Sequence, residues 1–436
     1  MDKTLTSTPV SGTITVPASK SQTIRALLVA TFAKGRSIIH NPLDSQDTRS
    51  CIEVCRAFGA TIVPGVSTEG LPTLTIEAPV TFPTAITVDC GNSGTTLYLA
   101  AGMAATIGSA VTFTGDAQLK NRPVGELLQA LSDLGVAVNY PSGNTRQGYP
   151  PFTISGPITG GSTRITCHTS QHLSALLLGC PLGTGTSRIT VPLLNERPYV
   201  HMTRSWLDSQ HIAYEASESM DTFSIIGNQQ YSPFESAVNG DYSSASFFFC
   251  AAAVAGGCVT VSGLDPEDPQ GDKEILSILQ AMGCSVTWNE RNAVTVCGPE
   301  NGNLVGGQFD LNAIPDALPI LAVTACFAHG TTVLGNVPQA RIKETDRIAV
   351  MHENLASCGA EVEEREDALI IHGTGHLRGG TCDGYDDHRI IMAMAIASLQ
   401  CEEPVTIKGI DAVGVTFPTF FSLLEQISEH HKESQL

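Results

Sequence analysis

Residues 19–35 read SKSQTIRALLVATFAKG, and residues 241–257 read DYSSASFFFCAAAVAGG. Each stretch opens on a polar cluster, continues as a run of small apolar residues and stops at glycine. The same pattern returns at 91–108 (GNSGTTLYLAAGMAATIG), 169–185 (TSQHLSALLLGCPLGTG), 315–330 (PDALPILAVTACFAHG) and 386–398 (DDHRIIMAMAIAS). With Ser21, Thr95, Gln171, Ser244, Asp316 and His388 as matching points, successive copies lie 74, 76, 73, 72 and 72 residues apart. A period this regular marks an internal repeat, and the repeat decides the fold.

After each opening comes a β-branched strand such as SIIHNPL, AVTFTGD, SRITVPL or CVTVSGL. A second amphipathic helix follows, as in IEVCRAFGA, ELLQALSDLGV, EILSILQAMGC and MHENLASCGA, with apolar residues at i, i+3 and i+4 and a closing glycine. A pair of alternating strands ends the unit, which therefore reads β-α-β-α-β-β. Six such units fit best as two groups of three, giving a two-domain α/β protein. The loop-like stretch QQYSPFESAVNG at 229–240 marks the break. The expected domains are 20–239, and 1–19 joined to 240–436, with the ligand in the cleft between them. Residues Gly12–Pro17 precede the first opening and are expected to complete the sheet of the last unit.

The composition narrows the function. The chain has 436 residues, with 24 Lys and Arg against 43 Asp and Glu, a formal charge of −19. That balance argues against nucleic-acid binding, which needs a basic surface. It leaves room for a small anionic substrate, because a few cations focused in one cleft suffice. No apolar run suggests a membrane span or a secretory leader, so the cytoplasm is the expected compartment. The 13 cysteines are scattered through apolar segments and read as buried, reduced thiols. Cys51 and Cys55 lack a second ligand pair, so no metal site is expected.

The unusual residues cluster where each unit's first helix begins. Helix starts carry unpaired N–H groups and the positive end of the dipole, so they attract phosphate and carboxylate. Ordinary capping explains Ser244 or Asn92 equally well. It explains Lys20 and Arg25 less well, because they lie in an otherwise apolar helix where a buried charge needs a partner. ARIKETDRI (340–348) is the densest charge cluster; a solvated helix start is its plain explanation, but DDHR (386–389) and Asp316 also open apolar helices. Lys20, Arg122, Arg347 and Arg389 supply cations from four different units, an arrangement suited to a reaction between two anionic small molecules. Residues 330–335 have P-loop glycine spacing, but Asn336 follows where lysine is required, and no dinucleotide fingerprint opens a helix.

At the level of whole motifs the chain resembles the 5-enolpyruvylshikimate-3-phosphate synthase (3-phosphoshikimate 1-carboxyvinyltransferase) family of enolpyruvyl transferases along essentially its full length. The matching stretches, in order, are ASKSQTIRALLVA, GNSGTT, LKNRPVGELLQAL, TSQHLSALLL, RPYVHMT, GDYSSASFFF, IPDALP, RIKETDRI and DDHRIIMAMA. The resemblance implies two inside-out α/β barrels of three βαβαββ units each. It implies transfer of the enolpyruvyl group of phosphoenolpyruvate to the 5-hydroxyl of shikimate 3-phosphate, a step of aromatic amino-acid biosynthesis and the target of glyphosate. No cofactor or metal is implied, the partners are the two small substrates alone, and a monomer is expected. Asp316, Glu344 and Lys20 are the implied catalytic groups. Lys20, Ser21, Arg25, Thr169, Ser170, Gln171, Tyr199, Asp316, Gln339 and Lys343 are the implied contacts of shikimate 3-phosphate. Lys20, Gly94, Arg122, Gln171, Arg347 and Arg389 are those of phosphoenolpyruvate.

Three positions depart from the family pattern. Tyr98 stands where an arginine usually follows the glycine motif, Val415 where many members have lysine, and Glu196 where many have serine before the Pro-Tyr pair. Two alternatives therefore stay open on sequence alone: an enolpyruvyl transferase using another acceptor such as UDP-N-acetylglucosamine, or a binding relic without catalysis. Against the former, no cysteine lies in GDAQLKNRP, where that related branch carries a reactive one.

Overall fold

The computed structural model describes residues 1–433 except Gly143, Thr145, Glu290 and Arg291, with side chains described up to residue 428. Among these residues the apolar runs form twelve helices, which fall into pairs that follow the repeat. The first-position helices are interleaved with the second-position ones: α1 (Lys20–Phe32), α2 (Gln46–Ala57), α3 (Gly94–Ala104), α4 (Gly125–Asp133), α5 (Ser170–Gly179), α6 (Arg197–Ser209), α7 (Tyr242–Ala255), α8 (Ile275–Ala281), α9 (Leu318–Cys326), α10 (Arg347–Ser357) and α11 (His388–Ala397), followed by a terminal α12 (Phe420–Glu433). Odd-numbered helices are apolar nearly all round and buried, as a central position demands. Helices α2, α4, α8 and α10 each run into a glycine, at 59, 135, 283 and 359, with φ between 92° and 104°. That is the left-handed turn a closing glycine supplies without steric cost.

Each unit has its own sheet, and five share one plan. In the second unit, for example, Ala85–Asp89 pairs parallel with Ala110–Thr114, which pairs antiparallel with Phe152–Ser155, itself antiparallel to Ala137–Asn139. The sixth unit is cut short, with Gly380–Asp383 parallel to Val405–Lys408. Its missing antiparallel neighbour is supplied by the chain start, Lys3–Leu5. The expected partner of the other N-terminal strand needs correction. Gly12–Thr15 joins Cys258–Ser262 in the fourth unit, not the last. The reason is directional: that sheet needs a parallel edge strand ahead of α7, whereas the sixth needs an antiparallel one.

The chain divides into two compact units, Ala18–Val238, and Met1–Pro17 together with Asn239–Leu436. Each holds three of the repeats around a separate apolar core. No helix among the described residues is long and apolar enough to cross a membrane. The reading of thirteen unbonded thiols is corrected at one pair. Cys258 and Cys297 stand directly opposite in an antiparallel ladder and form a disulfide, while the other eleven are free and buried.

Inside the Ala18–Val238 unit the central helices touch at backbone distance. A Cβ at Gly102 of α3 would lie 2.1 Å from the Ala175 carbonyl oxygen of α5, and one at Gly179 would lie 2.2 Å from the Gly102 carbonyl. Both helices would have to move apart to admit a methyl group. Gly102→Ala is therefore expected to destabilise this unit by about 2–3 kcal/mol. Urea unfolding in a Trp288→Phe background, where Trp206 is the one remaining tryptophan, measures it; a loss below about 0.5 kcal/mol would contradict the close packing.

Candidate active site

In the Ala18–Val238 unit the polar helix starts hold one another through charged side chains. Ser19 caps α1 by accepting from the Gln22 N–H. Lys20 follows, and its ammonium lies 3.1 Å from Asp47 Oδ2, a buried carboxylate in the first turn of α2. Asp47 carried no signal of its own in the sequence, since it looks like an ordinary acidic residue behind the Ser45 capping box. Arg25, one turn into α1, is fully buried. It donates to the Ser21 carbonyl (3.0 Å), the Tyr199 carbonyl (3.2 Å) and the Thr203 hydroxyl (3.0 Å), and Thr203 in turn donates to Ser174. One guanidinium thus ties α1 to α6 and, through Thr203, to α5. Burial pulls its pKa down to about 10, partly offset by Tyr199, so it stays charged at neutral pH.

The start of α3 explains its glycine motif. Ser93 caps the helix, and a Cβ at Gly94 would fall 2.6 Å from Arg122 Nη1. Only glycine lets the Arg122 guanidinium lie against that helix start. Arg122 follows a tight turn at Leu119–Asn121 and is 7% exposed. The loop carrying it is anchored by Asn92, which donates to Asp116 and Gln118. Tyr98, the residue that replaces the usual arginine, is buried, and its hydroxyl donates to the Pro123 carbonyl (3.1 Å). His172 of α5 packs edge-on against the Tyr98 ring at 4.9 Å. Sequence reading missed His172 altogether, because a histidine in an apolar helix is more often packing than chemistry.

The start of α5 is the third such place. Thr169 caps it, and the Glu196 carboxylate reaches it from the turn before α6, accepting from Thr169 Oγ1 (3.1 Å), Ser170 N (3.1 Å) and Ser170 Oγ (2.9 Å). Gln171 Oε1 is buried with no hydrogen-bond partner among the described residues. Tyr199 lies in the first turn of α6.

The other unit collects the remaining expected residues around Arg347. Its guanidinium donates to Asp316 Oδ1 (2.7 Å), Glu344 Oε2 (2.6 Å) and both oxygens of Asp387 (2.8 and 3.1 Å). Arg389 approaches Asp316 at 3.2 Å, and Lys343 at 3.7 Å. Three cations face three carboxylates, so the knot is locally neutral within a chain of charge −19. Asp387 caps α11 by accepting from the Arg389 N–H, and it also takes the Thr345 hydroxyl. Gln339, buried, donates to the Asn312 carbonyl. The RIKETDRI cluster divides: Arg341 and Asp346 bond each other, with Arg341 also reaching Glu364 and Asp346 capping α10. For those two the plain reading of a charged helix start is correct.

Burial alone would raise the Asp316 carboxyl, but Arg389, Lys343 and Arg347 outweigh it and hold the pKa well below the ordinary carboxylate range. Asp387 is held low in the same contest, mainly by Arg347 against burial. Burial opposes the charge on Arg347, yet Asp387, Glu344 and Asp316 together keep it protonated. Among the described residues no group of three or more His, Cys, Asp or Glu is placed to hold a metal ion.

The fold is that of a carboxyvinyl transferase. Residues 5–424 match the family model of EPSP synthase (3-phosphoshikimate 1-carboxyvinyltransferase). The 3-phosphoshikimate 1-carboxyvinyltransferase of Ruminiclostridium cellulolyticum is 44% identical over 411 residues, covering 94% of each chain. That of Acetivibrio thermocellus is 45% identical over 424 residues, covering 95% of this chain and 96% of its own. A solved EPSP synthase from Acinetobacter baumannii superposes with a TM-score of 0.79 at 26% identity, covering 98% of both chains. This chain belongs to the EPSP synthase family.

His172 supplies a pH test of the α3–α5 contact. Burial pushes its pKa from 6.5 down to about 4, opposed in part by the Pro123 carbonyl. The unfolded chain therefore binds a proton below pH 6.5 that the folded chain refuses until about pH 4, so stability falls as pH drops through that window. Urea unfolding read at Trp206, again in the Trp288→Phe background, should show about 2 kcal/mol lost between pH 7 and pH 5 on this account. A His172→Leu variant should lack that increment; equal pH dependence in both would refute the assignment.

Proposed function

We propose that this chain carries out the family's reaction with the two charge clusters described above. The reaction transfers the enolpyruvyl group of phosphoenolpyruvate to the 5-hydroxyl of shikimate 3-phosphate and releases phosphate, within aromatic amino-acid biosynthesis. The enol carbon gains a proton, the hydroxyl adds to C2, and the tetrahedral adduct then loses phosphate and a methyl proton. Addition and elimination of this kind run on proton transfer and charge stabilisation. In this reading Lys20, Ser21, Arg25, Thr169, Ser170, Gln171, Tyr199, Gln339 and Lys343 hold the acceptor. Lys20, Gly94, Arg122, Gln171, Arg347 and Arg389 hold phosphoenolpyruvate. In this reading the enzyme acts as a cytoplasmic monomer.

The observation that carries the reading is the set of three cations on Asp316. A carboxylate so held is ionised but weakly basic. Anionic substrate groups that bond Arg347, Arg389 and Lys343 weaken that hold, so the Asp316 pKa rises and the group becomes able to take the hydroxyl proton. The base is in this way switched on by the substrates it serves. Glu344 shares Arg347 and is the proton donor at the enol carbon, recharged from solvent or Lys20.

Two variants test these roles by phosphate release. Asp316→Ala should lose about 10²–10⁴ in kcat, with Asp316→Asn, which keeps the shape, losing a similar amount. Near-wild-type turnover in both would remove Asp316 as the base. Arg122→Ala should raise the phosphoenolpyruvate KM by about tenfold or more while the shikimate 3-phosphate KM moves little. An unchanged phosphoenolpyruvate KM would take Arg122 out of the anion clamp.

A further inference from the structure

Glu196 is a carboxylate of the Ala18–Val238 unit placed on the start of α5, a helix start assigned to an anionic substrate. It follows the strand Ser187–Leu194 and precedes Arg197 and Pro198, at the entry to α6. Its backbone is left-handed, with φ 55° and ψ 42°, a strained conformation for a residue with a Cβ. The side chain does not cap the helix that it precedes. It turns instead to the ten-residue α5, where one oxygen accepts from the Thr169 hydroxyl, the Ser170 hydroxyl and the Ser170 N–H. The residue is only 2% exposed.

Three donors converging on one anionic oxygen at the positive end of a helix form the same seat that a phosphate oxygen would take. A carboxylate and a phosphate cannot share it, because two anions at hydrogen-bond distance repel strongly in a buried place. Being tethered, the carboxylate also returns to the seat with a high effective concentration. We propose that Glu196 is an acceptor-specificity residue: an intramolecular carboxylate that competes with the acceptor's phosphate for the start of α5. The proposal rests on the reading that Thr169 and Ser170 hold the acceptor, and it seats the acceptor's phosphate at their donors. An acceptor with a hydroxyl in place of the phosphate can leave Glu196 where it is and donate to it, so this chain discriminates less against unphosphorylated shikimate than a seat lacking the carboxylate would.

The test compares wild type with Glu196→Ser and Glu196→Gln, measuring phosphate release with shikimate 3-phosphate and with shikimate. Serine removes the competitor. The shikimate 3-phosphate KM should fall about tenfold, the phosphoenolpyruvate KM should stay within about twofold, and the preference for the phosphorylated acceptor in kcat/KM should rise about tenfold or more. Glutamine keeps the size and one acceptor oxygen without the charge, so it should move the same ratio in the same direction by less. It also carries the test if the serine variant does not fold. A shikimate 3-phosphate KM that is unchanged or raised in the folded variants overturns the proposal. Ser170→Ala in the Glu196→Gln background separates the two layers. If it raises the shikimate 3-phosphate KM while the Glu196 variants never lower it, the acceptor assignment stands and the competition fails. If it moves nothing, the acceptor assignment itself fails.

Discussion

The Arg347 guanidinium, buried and bonded to Asp316, Glu344 and Asp387, is the interaction that holds the charged cluster of its unit together. A lone cation in that position would cost several kcal/mol in desolvation. Three carboxylates offset the cost, and Arg389 and Lys343 then balance the carboxylates. The result is a locally neutral knot in which Asp316, Asp387 and Arg347 are held in their charged forms. Such a knot is a poor source of stability but a good switch, because an incoming anion changes the partners of each cation without requiring any group to cross into the interior alone.

The repeat is what makes these knots possible. Each βαβαββ unit delivers an apolar helix into the core, and the same capping chemistry recurs at its start, from Ser19 and Ser93 to Thr169, Asp241 and Asp387. Capping and charge pairing are not alternatives at these places. Asp387 both caps α11 and holds Arg347, and Gly94 both opens α3 and admits Arg122. Where the repeat is modified, so is the local electrostatics. The left-handed turn at Glu196 brings a carboxylate to α5, and Tyr98 braces the Arg122 loop through the Pro123 carbonyl.

Much of this was legible in the sequence. The evenly spaced polar-to-apolar openings and the glycines behind α2, α4, α8 and α10 state the repeat directly, since both are local consequences of helix ends. The charge-bearing motifs likewise pointed to Arg347, Arg389, Lys343, Glu344 and Asp316, which the fold brings together. Pairings across distance were not legible. Nothing in residues 12–15 says that they join Cys258–Ser262 and not the last sheet, and nothing near Cys258 says that the ladder places Cys297 opposite it. Asp47 as the partner of Lys20, and His172 behind Tyr98, are invisible for the same reason: each is an ordinary residue until another element arrives beside it.

The most direct test of the central claim is phosphate release from phosphoenolpyruvate by the wild-type chain, with shikimate 3-phosphate and UDP-N-acetylglucosamine as parallel acceptors. Turnover with shikimate 3-phosphate and none with the sugar nucleotide is the expected result. A folded protein that releases no phosphate with shikimate 3-phosphate, or that prefers the sugar nucleotide, would contradict it.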